Sequence, residues 1–301
     1  MDAFLHAGYY NTINESSEII KFFNQKYYLS ALFAYLLLFI EAILINNLCY
    51  NHKLINKASL LPGLLFIILS SYHPSTLFIN SALISSLFVI LTIEGLFSIY
   101  GEEQKYAKVF NIGFYASIAG LLYKPALLLI VFIFISLVVF KIFNFRVWVI
   151  YITGFIIPLL FSFTYYFYTE QFIIKINDYI HIYSLKSFVL KGFNLYFKLL
   201  AIPVIFIFFL SIISIFGRNR DKQLKVRRIY LALFWLVLVL LSQLFYNSLI
   251  TEAYLCLIFI PLSIVCSNYL ISLRKNIHSE ILLYTLIIAI FSIKICFLII
   301  I

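Results

Sequence analysis

Charge is scarce in this chain. Its 301 residues include 22 Lys and Arg, 12 Asp and Glu and 5 His, so charged residues make up only 11% of it. A water-soluble domain of this size carries about 25% charged residues. Nor does any fold in water hide a chain that is 64% hydrophobic, so the solvent around most of this one is lipid. Acids are scarcer than bases, which leaves a net charge of +10. A basic surplus is one mark of nucleic-acid binding. Here the cations sit in short loops between apolar segments, the distribution that orients membrane proteins, and no nucleic-acid partner is expected.

The motifs of several enzyme classes are also missing. There is no Gly-rich phosphate loop, no H-E-x-x-H and no G-x-S-x-G. His6, His52, His73, His181 and His278 are scattered, so neither a metal site nor a cofactor is expected. Cys49, Cys256, Cys266 and Cys296 lie inside apolar segments without a C-x-x-C pair, and read as ordinary buried residues. Only 9 glycines are spread over the chain, which gives little sign of the paired broken helices of transporters. Met1–Tyr28 lacks the charged and apolar regions of a cleavable signal peptide.

What is present is a series of long apolar runs. A spanning helix needs about 20 such residues. Segments near 28–50, 58–72, 76–100, 108–123, 125–143, 147–168, 197–216, 229–247, 254–272 and 281–300 qualify, those at 58–72 and 108–123 being short. The expected fold is all-α, a polytopic transmembrane helical bundle of about nine to eleven spanning helices. It forms one integral membrane domain over 1–301: an external segment 1–27, a first helical block 28–168, an external interfacial segment 169–196 and a second block 197–301.

The loop 217–228 fixes the orientation. It holds Arg218, Arg220, Lys222, Lys225, Arg227 and Arg228 against the single acid Asp221, and is expected in the cytoplasm. Alternation then places Lys53, Lys57, Lys105, Lys108, Lys141, Arg146, Arg274 and Lys275 on the same side. Both termini come out external; for an external start without a signal peptide, either a further helix is expected before it or 1–27 stands alone outside. Within 1–27, Asn14 followed by Glu15 and Glu18 reads as a capped helix start. Ile19, Phe22, Phe23 and Tyr27 follow at helical spacing, so an amphipathic helix on the membrane surface is expected over 14–28. The mixed stretch 172–190 is too polar to span and is expected at the interface as well.

Candidate functional residues follow from charge in the wrong solvent. Glu41, Glu94 and Lys294 fall inside apolar segments, where each costs roughly 2.5–3.5 kcal/mol at mid-bilayer. Glu94 and Lys294 lie near segment ends. Glu41 lies deepest and is a candidate ligand-binding residue, or else a hydrogen-bond partner between helices. On the outer side stand Asp2, Glu15, Glu18, His73, Lys124, Glu170, Asp178 and His181. An acid beside a cation there is able to bind a lipid-linked phosphate and activate an acceptor hydroxyl; solvated loop residues are the plain alternative. His73 and Lys124 each precede a proline, which puts each in a turn. The two are expected to face one external cavity, with Lys124 and His73 as ligand-binding residues and Glu15, Glu18 and His73 as catalytic candidates.

Leu61-Pro62-Gly63-Leu64, Tyr72-His73-Pro74, Phe110-Asn111-Ile112-Gly113-Phe114, Gly120-Leu121-Leu122-Tyr123-Lys124-Pro125 and Phe143-Asn144-Phe145-Arg146-Val147-Trp148 carry a resemblance. Over about residues 35–170 the chain resembles an uncharacterised family of bacterial multi-pass inner-membrane proteins, domain of unknown function 6427. That resemblance implies residence in the bacterial inner (plasma) membrane. The pattern Gly113, Gly120-Leu121, Lys124-Pro125 is also similar to that of membrane glycosyltransferases that use polyprenyl-phosphate sugars. This second similarity implies a glycosyltransferase-C-like architecture and a polyprenyl-phosphate-linked substrate. It further implies a catalytic acid in the first external loop, where Glu15 or Glu18 would stand in place of the usual acidic pair. Three functions are compatible with these features. The first is a glycosyltransferase-like protein of the cell envelope that handles a lipid-linked glycan, the second a non-enzymatic scaffold or assembly subunit, and the third a transporter. Membrane lipids are the only partners the sequence itself indicates.

Overall fold

The computed structural model describes residues 26–55, 59–72, 74–102, 105–182, 204–213, 224–246 and 254–272, with Tyr284 and Ile288 as single positions. Among these residues all regular structure is helical and no strand occurs. The helices are α1 (Tyr27–Asn51), α2 (Leu61–Ser70), α3 (Ser81–Ser98), α4 (Tyr106–Leu122), α5 (Leu129–Val139), α6 (Phe145–Tyr168), α7 (Phe172–Ile182), α8 (Val204–Ile213), α9 (Leu224–Tyr246) and α10 (Leu255–Ser272). Short 3-10 turns occupy Pro74–Leu77 and Lys124–Leu128. Four helices, α1, α3, α6 and α10, are long and apolar enough to cross a membrane. Most of the surface helix expected over 14–28 and of the span expected over 281–300 lies outside the described residues; Tyr27 and Tyr28, expected at the end of that surface helix, open α1 instead.

The chain divides into two compact units. The first comprises Met1–Leu83, Gly192–Tyr230 and Glu252–Ile301, the second Ile84–Lys191 and Leu231–Thr251. In the first unit α2 packs against both α1 and α10. Ser30, Ala34, Leu38, Glu41, Ala42, Ile45, Leu48 and Cys49 of α1 are buried and recur every three or four residues, with the neighbours Glu41 and Ala42 and the neighbours Leu48 and Cys49 sharing a turn of the stripe. Leu29, Leu32, Phe33, Leu36, Phe39, Ile40 and Ile43 on its other side are exposed. An uninterrupted face of that kind is stable only against lipid. Small residues on the inner stripe let backbones approach closely. A Cβ on Gly63 of α2 would stand 2.6 Å from the Ala42 carbonyl oxygen and 2.5 Å from Asn46 Nδ2.

The same unit satisfies its helix ends locally. Ser59 Oγ accepts from Leu61 N at 3.2 Å, and Asn46 Oδ1 accepts from Gly63 N at 2.8 Å. Both serve the first turn of α2, whose amides have no carbonyl partners within the helix. Tyr230 donates its hydroxyl to the Leu54 carbonyl at 2.9 Å, and Tyr72 meets Phe259 edge to face at 5.7 Å.

In the second unit α4 and α6 pack with almost nothing between them. A Cβ on Gly113 would overlap the Tyr151 carbonyl and lie 2.8 Å from Phe155 N, while one on Gly154 would overlap the Phe110 carbonyl. Two glycines facing each other's helix backbones give a contact no larger residue permits. Gly120 makes space for a side chain where the chain folds back, its Cβ position lying 2.8 Å from Leu127 Cγ. Asn144 caps α6 by accepting from Arg146 N at 3.0 Å, and Trp148 Nε1 donates to the Ile142 carbonyl at 2.9 Å.

Three helices end alike. After α1, α5 and α6 the chain passes through Lys53, Lys141 and Glu170 with φ of 50°, 59° and 57°. Leu54 N then reaches the Cys49 carbonyl, Ile142 N the Leu137 carbonyl and Gln171 N the Tyr166 carbonyl. This is the left-handed end in which the helix's last carbonyls are satisfied, with a charged residue where glycine is usual.

Candidate functional site

Each unit holds a buried or half-buried polar constellation built around a charged side chain. In the first unit, Glu41 is fully buried on the inner stripe of α1. The thiol of Cys256 on α10 lies beside Ser70 of α2 and within electrostatic reach of Glu41. Thr76 Oγ1 donates to the Ser70 carbonyl, so the 3-10 turn closes over the same place. A carboxyl, a hydroxyl and a thiol from three helices thus meet inside an apolar unit. Groups of this kind are suited to hydrogen-bonding helices together in a solvent that offers no other partner. The sequence singled out Glu41; it carried no signal for Ser70 or Cys256, neither of which is charged.

In the second unit the constellation is built on Lys124. Tyr123 ends α4 in an extended conformation and Pro125 follows, so the chain enters α5 through the 3-10 turn. The Lys124 ammonium lies over the ring of Tyr179 on α7, 5.2 Å from its centroid. Cations on aromatic faces are held by the ring quadrupole, more strongly as water is excluded. Helix α7 is itself held by aromatic contacts to the end of α6. Phe163 meets Phe172 at 6.0 Å and Tyr179 at 6.1 Å, and Phe167 meets Phe172 at 6.0 Å. Lys175 repeats the motif over Tyr166 at 5.6 Å.

Where α6 turns into α7 there is an open cleft of about 700 Å³, lined by Thr164, Phe167, Tyr168, Glu170, Phe172 and Ile173. Its walls are largely apolar, with Glu170 as the one acid. The turn bearing Lys124 is tied down from elsewhere in the unit: Gln243 of α9 donates its side-chain amide to the Pro125 carbonyl. The sequence pointed to Lys124 and Glu170 through charge and the proline. Tyr179 and Gln243 escaped it, although an amide inside the apolar run 229–247 was a usable signal.

The remaining sequence candidates Glu15, Glu18 and His73 lie outside the described residues, as do the side chains of Asp178 and His181. Glu41 and Lys124 belong to different units. Near the end of α1, His52 is buried, and its imidazole is pushed down to about 4, first by burial and then by the charge of Lys225. Lys108 pairs with Glu102 at 2.5 Å on the surface. No group of three or more metal-ligating side chains occurs among the described residues.

Comparison with known proteins gives one match. A family of unknown function, DUF6427, matches residues 16–299, and the chain belongs to that family. No curated protein and no solved structure matches it.

Proposed function

We propose that this protein binds an anionic, polyprenyl-phosphate-linked glycan at the outer face of the bacterial inner membrane, in a glycosyltransferase-like manner. The observation that carries the reading is Lys124, seated on Tyr179 in a proline turn. An apolar cleft opens at the other end of the same helix α7. From Phe172 to Tyr179 the helix rises about 10 Å, a fitting separation for one amphiphile. The Lys124 ammonium takes the phosphate as a point charge. The aromatic walls of Phe167, Tyr168 and Phe172 take isoprenoid units in place of membrane lipid. Activation of an acceptor hydroxyl falls to an acid: Glu170 in the cleft wall, or Glu15 or Glu18 with His73 as the proton acceptor.

The reading keeps the architecture expected from sequence, about nine to eleven spanning helices in a glycosyltransferase-C-like arrangement. The short helices α2 and α5 then serve as arms of hairpins. The test is binding of polyprenyl phosphate to the protein in nanodiscs of zwitterionic lipid. Lys124→Ala should weaken it about tenfold, the worth of one charge-assisted contact, with thermal stability unchanged. Equal binding by the variant overturns the site. No binding by the wild-type protein either favours the scaffold reading.

A further inference from the structure

Gln243 is an unexpected residue for its place. It sits near the end of α9, 1% exposed, in a run that apart from the neighbouring Ser242 is apolar from Leu231 on. Its Nε2 donates to the Pro125 carbonyl, 118 residues away in sequence. Its Oε1 is buried and has no hydrogen-bond partner among the described residues. The amide orientation is settled by this contact, since turning it over would set two acceptors against each other.

The energetics of that arrangement are unfavourable for stability alone. One hydrogen bond contributes about 0.5–1.5 kcal/mol net, and a buried acceptor without a donor costs about 1–3 kcal/mol. A methionine of similar shape would satisfy the packing without the orphaned oxygen. What the amide does provide is a fixed position for the Pro125 carbonyl, and, through the rigid proline ring whose nitrogen carries the acyl group of Lys124, for Lys124 as well. A 3-10 turn has poor hydrogen-bond geometry of its own. Ala126 N to the Tyr123 carbonyl, at 2.8 Å, bridges it from within.

We propose that Gln243 is a positioning residue for the Lys124 headgroup site: it holds the proline turn from behind so that the ammonium stands over Tyr179. This rests on the proposed reading of Lys124 only for its consequence in binding. The positioning itself is observable without a lipid.

The experiment uses the full chain in nanodiscs with its lysines reductively methylated with carbon-13. The Lys124 resonance is assigned by its loss in Lys124→Arg, and is expected to be displaced upfield by the Tyr179 ring. Tyr179→Leu should abolish that displacement. Gln243→Met should abolish it too, while leaving the melting temperature unchanged or raised. Affinity for polyprenyl phosphate should fall about fivefold, the worth of one hydrogen bond. It should not fall further when Gln243→Met is added to Lys124→Ala, because the two act through one group. Gln243→Glu supplies a second variant. Burial favours its protonated acid, which donates to the Pro125 carbonyl as the amide does, so the ring displacement should be retained at pH 5. A Lys124 signal in Gln243→Met that keeps the wild-type displacement overturns the positioning role, as does loss of the displacement in Gln243→Glu at pH 5. So does a fall in melting temperature that matches the loss of affinity. A displaced signal with no effect of Lys124→Ala on lipid binding sinks the headgroup reading and leaves the positioning role intact.

Discussion

Asn46 Oδ1 accepts the backbone amide of Gly63 at 2.8 Å, so a side chain of α1 caps the first turn of α2. The contact does two things at once. It fills one of the amide valences a helix start leaves open, and it draws α2 so close that Gly63 has no space for a side chain. The polar and the steric halves of the contact depend on each other.

Gly63→Ala is therefore expected to destabilise the protein by about 2 kcal/mol or more, since the added methyl meets a backbone carbonyl that cannot move aside. Asn46→Ala should have a smaller effect, about 1 kcal/mol, the usual loss of a capping group. Reversible unfolding in mixed micelles measures both. A neutral Gly63→Ala would show that α1 and α2 are not in backbone contact.

The three left-handed helix ends make a prediction of the opposite sign. At Lys53, Lys141 and Glu170 the backbone adopts a φ that strains every residue with a Cβ. Glycine at any one of them should raise stability by about 0.5–1 kcal/mol. Valine at Lys141 should lower it by at least as much, because a branched side chain tolerates this conformation least. Thermal melts of the single variants decide the matter, and a Gly substitution that destabilises would contradict the observed ends.

His52 makes stability depend on pH. Its folded-state value, about 4, lies below the ordinary 6.5 because burial and Lys225 disfavour the imidazolium. Above pH 6.5 the ring is neutral in both folded and unfolded chains and the group is silent. As pH falls from about 6.5 to about 4 the unfolded chain binds a proton that the folded one refuses, and stability is lost across that window. The loss amounts to about 3 kcal/mol at most. In His52→Gln the decline between pH 6.5 and 4 should be shallower than in wild type, as read from unfolding curves at matched pH. Parallel declines would exclude the imidazole as their source.

The sequence made the lipid environment plain and located the proline turn at Lys124, because Pro125 constrains the backbone wherever it occurs. It was less informative about which side of a helix faces its neighbours. In water the inner face announces itself by hydrophobicity. In α1 both faces are apolar, and the packed one is marked instead by Ser30, Ala34 and Ala42, whose smallness is a weaker signal. Glu41 was conspicuous as a charge, yet its place on that inner stripe emerged only from the packing. Asn46 and Gln243 went unremarked because their partners are backbone groups, which no pattern of side chains reveals. The run read as one span over 125–143 proved to be a 3-10 turn followed by the 11-residue α5.

The facing glycines of α4 and α6 have a mechanical meaning. With Gly113 against the Tyr151 carbonyl and Gly154 against that of Phe110, there is no compliant layer of side chains between the two rods. Axial sliding would push a Cα over a carbonyl oxygen, and rotation would bring neighbouring bulky side chains into the gap. The pair is thus stiff in shear and torsion. When the bilayer around it thins or thickens, the strain is taken up by tilting of the pair as one spar and by deformation of the surrounding lipid, not by scissoring between the helices.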